Sequence, residues 1–126
     1  MYTLSVSDFV MIAHSLEGDF FGPAQGMHGA TLTVEAEVRT PELEVHGTVM
    51  DIGVLRARLR TVLDSIDYRN LDEHPSFAPR TSTTERIARH LANELAKALP
   101  PFPKDASLRL LVRESPIAWV AYERSL

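Results

Sequence analysis

Residues Tyr2 to His14 alternate, with Tyr2, Leu4, Val6, Val10, Ile12 and His14 in one phase and Thr3, Ser5 and Ser7 in the other. A period of two belongs to a strand with one apolar face, so this stretch predicts a first strand. The segment SLEGDFFGPAQG then carries Gly18, Gly22, Pro23 and Gly26, the punctuation of a loop. From His28 the alternation resumes, with His28, Ala30, Leu32, Val34, Ala36 and Val38 on one face and Thr31, Thr33, Glu35, Glu37 and Arg39 on the other. After TPELEVHG, Asp51 stands where it caps a helix in which Leu55, Leu59, Val62, Leu63 and Ile66 recur at helical spacing. DYRNLDEHPSFAPRT is a polar, proline-containing connection, and Ser82 with Glu85 fits a capping box ahead of Ile87, Leu91, Leu95 and Leu99. Pro100, Pro101 and Pro103 end that second helix. SLRLLVRES alternates again, with Leu108, Leu110, Val112 and Glu114 in one phase, and IAWVAYER is the last strand. The order ββααββ predicts an α+β fold: a four-stranded antiparallel sheet with both helices on one face.

Length and charge narrow the function. A chain of 126 residues fits one domain, 1–126, that buries about two-thirds of its unfolded surface. With no cysteine, disulfides, thiolate metal sites and cysteine nucleophiles are excluded, and the cytoplasm is the expected compartment. A net charge of -4 without any run of Lys or Arg argues against nucleic acid or an anionic membrane as partner. No apolar stretch approaches the roughly 18 residues of a membrane span, and MYTLSVSDF lacks the marks of a signal peptide. The expected partner is a small molecule or a protein.

Three polar side chains break the apolar phases: His14 closing the first strand, His28 opening the second, and Glu114 ending the third. An antiparallel hairpin around the loop brings the two histidines together at its open end. There they form either a shared cation site, since neutral imidazole is a common zinc ligand, or a hydrogen-bonded pair at the core edge. A carboxylate facing a core must be paired, protonated or reserved for a ligand, and adjacent N–H groups of an aminopyrimidine would satisfy Glu114 bidentately. The alternatives are a salt bridge or exposure at the strand end. In the STTE stretch, Thr83 and Thr84 offer hydroxyls to a ligand at the helix N-terminus, while Ser82 and Glu85 are accounted for by capping.

A histidine closing strand one, HG opening strand two, VMDIGVLRARL, IDYRNLD, TSTTERIARHL and VRESPIAWVAYE together resemble the 6-pyruvoyl-tetrahydropterin synthase and 6-carboxy-tetrahydropterin synthase family from about Phe9 to Glu123. The resemblance implies the tunnelling fold (T-fold), in which subunits join their sheets into a barrel of stacked trimers with sites at subunit interfaces. It implies a lyase-type enzyme and a zinc held by three histidines, two of which fall on His14 and His28 and the third on Ala30. The family's reactive cysteine would lie near Ala24 and Gln25, and its aspartate–histidine relay falls on Asp67 and Tyr68. Thr83, Thr84 and Glu114 match its pterin-anchoring positions, whereas Arg86 stands where an asparagine is common.

The expectation is therefore a divergent homo-oligomeric member acting on a pterin-like or other small polyfunctional aldehyde or heterocycle. The reaction would be proton transfer with elimination or carbon–carbon bond chemistry, with Asp67 and Tyr68 catalytic and zinc as the implied cofactor. Glu17, Asp19, His46, His74 and His90 are the candidates for a replacement third ligand. The rival expectation is a non-catalytic module that retains the heterocycle pocket.

Overall fold

The computed structural model describes all 126 residues. β1 (Tyr2–His14) and β2 (His28–Thr40) pair antiparallel over their whole lengths, from Tyr2 opposite Thr40 to His14 opposite His28. Between them Asp19–Gln25 forms two short 3-10 turns hinged at Gly22, whose φ of 52° is left-handed and suits a residue without Cβ. α1 (Ile52–Asp64), the short β3 (Arg69–Asn70), α2 (Thr84–Ala98), β4 (Ser107–Ser115) and β5 (Ala118–Ser125) follow. The sheet order is β3-β1-β2-β4-β5.

The four long strands are antiparallel, as the alternation predicts, but the sheet has a fifth member. β3 runs parallel to β1, with Ile12 beside Arg69 and Ala13 beside Asn70. Its entry is fixed by Tyr68 N donating to Met11 O at 2.7 Å, with Tyr68 itself turned to φ 56°. Two residues are too few to alternate, so no periodicity announces this strand.

Both helices cover one face of the sheet, α1 over β1 and α2 over β4 and β5. Their stripes of Leu55, Leu59 and Leu63 and of Ile87, Leu91 and Leu95 join Val10, Leu32, Val34, Leu108 and Leu110 in one buried cluster. Each such side chain contributes about 1.5–3 kcal/mol on burial. The outer face carries cross-strand pairs, Arg109 with Glu37 at 2.5 Å and Arg113 with Glu35 at 3.1 Å. No helix is long and apolar enough to cross a membrane.

Asp51 caps α1 as its position predicts, accepting from Val54 N at 3.2 Å. At α2 the predicted cap is displaced by one residue. Thr83 accepts from Arg86 N at 3.3 Å, and Ser82, fully buried, is directed elsewhere.

Candidate functional site

His14 and His28 face each other because the β1–β2 register makes them partners, and their rings stand edge to face with centroids 4.5 Å apart. His14 is buried and His28 half-buried. His14 Nδ1 lies 3.0 Å from both Ser82 O and Ser82 Oγ, and His28 Nδ1 lies 2.8 Å from Gly26 O. A carbonyl oxygen only accepts, so each Nδ1 carries the proton and each neutral ring keeps its lone pair on Nε2. Burial and the neighbouring His28 hold the pKa of His14 below its ordinary 6.5, against opposing contributions from Ser82 and Asp72.

An imidazole whose Nδ1–H donates to a carbonyl is prepared to ligate through Nε2. The pair thus offers two nitrogen donors, one fewer than a catalytic zinc takes from protein. Ala30, two residues along β2, supplies nothing, and no three His, Cys, Asp or Glu side chains gather around one point. The residues present do not complete the implied zinc site. His74 and His90 pair with each other and with Phe77, at centroid distances of 5.4 and 5.1 Å from His90, and not with His14. His46 is exposed in the loop after β2. Glu17 lines a cavity with Arg80 and Thr83, while Asp19 opens the 3-10 turns.

Glu114 takes one of the alternatives left open for it, exposure near the strand end. It is exposed in the single chain rather than directed into the core. The pairing of β4 with β5 slips between Arg113 and Ser115, making Glu114 the residue at the bulge. Such an irregularity re-aims a side chain, and here the carboxylate accepts a hydrogen bond from Thr84 Oγ1 in the first turn of α2.

Asp67 and Tyr68 are not brought to this group. Asp67 accepts from Met11 N at 3.0 Å and from Arg60 Nη2 at 2.8 Å, and Arg60 is also paired with Asp8 and Asp64. Tyr68 is 78% exposed. Both lie beside Met11, three residues or about 10 Å along β1 from His14.

Several residues around the histidines escaped the sequence reading. Ser15 donates to Asp72 through its N at 2.9 Å and its Oγ at 2.5 Å, and Arg80 Nε donates to the same Oγ at 2.8 Å. Burial works against the charge on Asp72, yet these bonds with the Arg80 guanidinium outweigh it and lower the pKa. Nothing in the local pattern marks Asp72, Arg80 or Ser82 as partners of β1. Asp8 carried a signal that the sequence reading passed over, since it stands in the apolar phase between Val6 and Val10, and it pairs with Arg60 at 3.3 Å.

Comparison with known proteins gives the same family by an independent route. A family model described as 6-pyruvoyl tetrahydropterin synthase matches residues 3–125. The 6-carboxy-5,6,7,8-tetrahydropterin synthase of Bacillus subtilis (strain 168) is 25% identical over 96% of this chain and 84% of its own. A 6-pyruvoyl tetrahydrobiopterin synthase of Poecilia reticulata is 39% identical over 75 residues, so the match spans about half of that relative's length. Among solved structures, the Caenorhabditis elegans 6-pyruvoyl tetrahydropterin synthase superposes with a TM-score of 0.85 at 24% identity, covering 98% of this chain and 96% of that one. The Plasmodium vivax protein gives 0.81 at 19%, covering 99% and 98%. At these identities the structural likeness shows the shared fold.

Proposed function

The chain belongs to the 6-pyruvoyl tetrahydropterin synthase family, and from that premise we propose that it binds a pterin-like heterocycle through Glu114, Thr83 and Thr84. The observation that carries this reading is the exposed Glu114 carboxylate at its bulge, oriented by Thr84 beside the N-terminus of α2. A carboxylate so held accepts two adjacent N–H groups of an aminopyrimidine side by side. Ser82, two residues from Thr84, touches His14, which links the anchor to the histidine pair.

On this reading Nε2 of one histidine accepts a proton from the substrate side chain and the protonated ring returns it at another atom of that side chain, the proton-transfer part of a lyase-type reaction with elimination or carbon–carbon bond chemistry. Asp67 and Tyr68, remote from the pair in their own chain, act at the site of a neighbouring copy across the β1–β3 edge, which makes the functional unit a homo-oligomer. A second reading, a binding module without turnover, is favoured by Ala30 and Tyr68 and by the absence of any thiol.

Neopterin binding, followed by its fluorescence, tests the anchor. Glu114→Gln is expected to weaken binding by about tenfold or more, because the charged acceptor of two hydrogen bonds is lost. Unchanged affinity would remove Glu114 from the site. Deuterium uptake into the side chain of 7,8-dihydroneopterin then separates the two readings: uptake supports the enzyme, and binding without uptake supports the module.

A further inference from the structure

The five residues Arg80–Thr84 hold three parts of the candidate site: the loop, His14 and Glu114. Arg80 bonds the loop, Ser82 bonds His14, and Thr84 bonds Glu114, so alternate residues of one ribbon serve three groups. The arginine makes the most contacts. Its Nη2 donates to Leu16 O at 3.0 Å and to Gln25 O at 2.5 Å, the two ends of the loop that separates the histidines, and its Nε donates to Ser15 Oγ. Its own carbonyl accepts from Glu17 N at 3.1 Å, and Leu16 N donates to Ala24 O at 3.0 Å. Arg80 also has φ 52°, a left-handed conformation that is strained for a residue with a Cβ and persists only where the surroundings impose it.

We infer that Arg80 is the positioning residue of this site, a clasp whose planar fork closes the Ser15–Met27 loop and fixes the wall that a ligand meets. A lysine ammonium lacks the rigid fork and would not span the same three oxygens. Arg80 lines a cavity of about 490 Å³ with Glu17, Phe20, Thr83 and Arg86. Thr83 is shared between this cavity and the proposed anchor, so the ligand that reports on the clasp is the heterocycle of the proposed function, and to that extent the inference rests on that reading.

Arg80→Gly tests it, since glycine accepts φ 52° without strain and the substitution removes the side chain while relieving the backbone. Amides of residues 16–26 are expected to exchange hydrogen about tenfold faster, neopterin to bind about tenfold more weakly, and millimolar guanidinium to restore both. Arg80→Lys should behave like Arg80→Gly, whereas Arg86→Lys, on the same cavity wall but outside the clasp, should retain wild-type loop exchange. Wild-type exchange and affinity in a folded Arg80→Gly or Arg80→Lys protein, with Glu114→Gln still impaired, would overturn the clasp and leave the anchor standing. Failure of the wild-type chain to bind neopterin while Arg80→Gly still loosens the loop would overturn the proposed ligand and support the clasp.

Discussion

His90 illustrates what a single residue does to the pH response of the fold. Its ring lies half-buried against Phe77 and His74, and burial followed by the repulsion of His74 holds its pKa below 6.5, with Lys97 acting in the same sense and Glu94 opposing. His74 is engaged too, since its Nδ1 accepts from Ser76 N at 3.1 Å. The folded chain therefore binds fewer protons at this site than the unfolded chain. Its contribution to stability is present above pH 6.5 and is lost as the pH falls from there through the folded value. Urea unfolding between pH 5 and 7.5 should show stability rising with pH, and His90→Gln should flatten that rise. An equal slope in the variant would place the response in other groups, His14 first among them.

At the scale of elements, α2 carries both the fold and the site. Leu91, in the middle of its buried stripe, is wholly inaccessible to solvent, and Leu91→Ala is expected to cost about 3–4 kcal/mol. Thr83→Ala should cost about 1 kcal/mol through the lost cap, with Thr83→Ser close to wild type. Denaturant titrations of the three variants check both values. The helix and its stripe were legible in the sequence, and its first residue was not. Ser82, Thr83 and Thr84 all bear hydroxyls suited to capping, and the choice fell to Thr83 because His14 engages Ser82 and Glu114 engages Thr84. Likewise the phase of β4 marked Glu114 as unusual, but the bulge that turns it towards α2 depends on pairing with β5.

For the whole molecule the sheet edges decide the expected behaviour. β3 covers only Ile12 and Ala13 of β1, leaving most of that 13-residue strand without a partner on its outer side, and β5 forms the other edge. Phe9, Met11, Tyr68 and Trp119 are exposed. Open edges with apolar neighbours are templates for further strands. Sedimentation at micromolar concentration should therefore show a multimer burying more than about 1,200 Å² at each interface, with a melting temperature that rises with concentration. A monomer at all concentrations would leave Asp67 and Tyr68 without a site to serve.

Alternation along β1 and β2 determined the hairpin, its inward face and the meeting of His14 with His28, because a period of two and a fully paired register are local properties of the chain. The helix stripes, the Asp51 cap and the family resemblance were equally local, carried by residue type at fixed spacing. Tertiary structure alone decided that Ser82 fixes the tautomer of His14 from 68 residues away and that Arg80 clasps the loop from a separation of 65. It also decided that Asp67 is tied to Arg60 and that a two-residue strand joins the edge. A polar side chain in sequence states only what it can donate or accept, and which partner it meets depends on how the helices return the chain to the sheet.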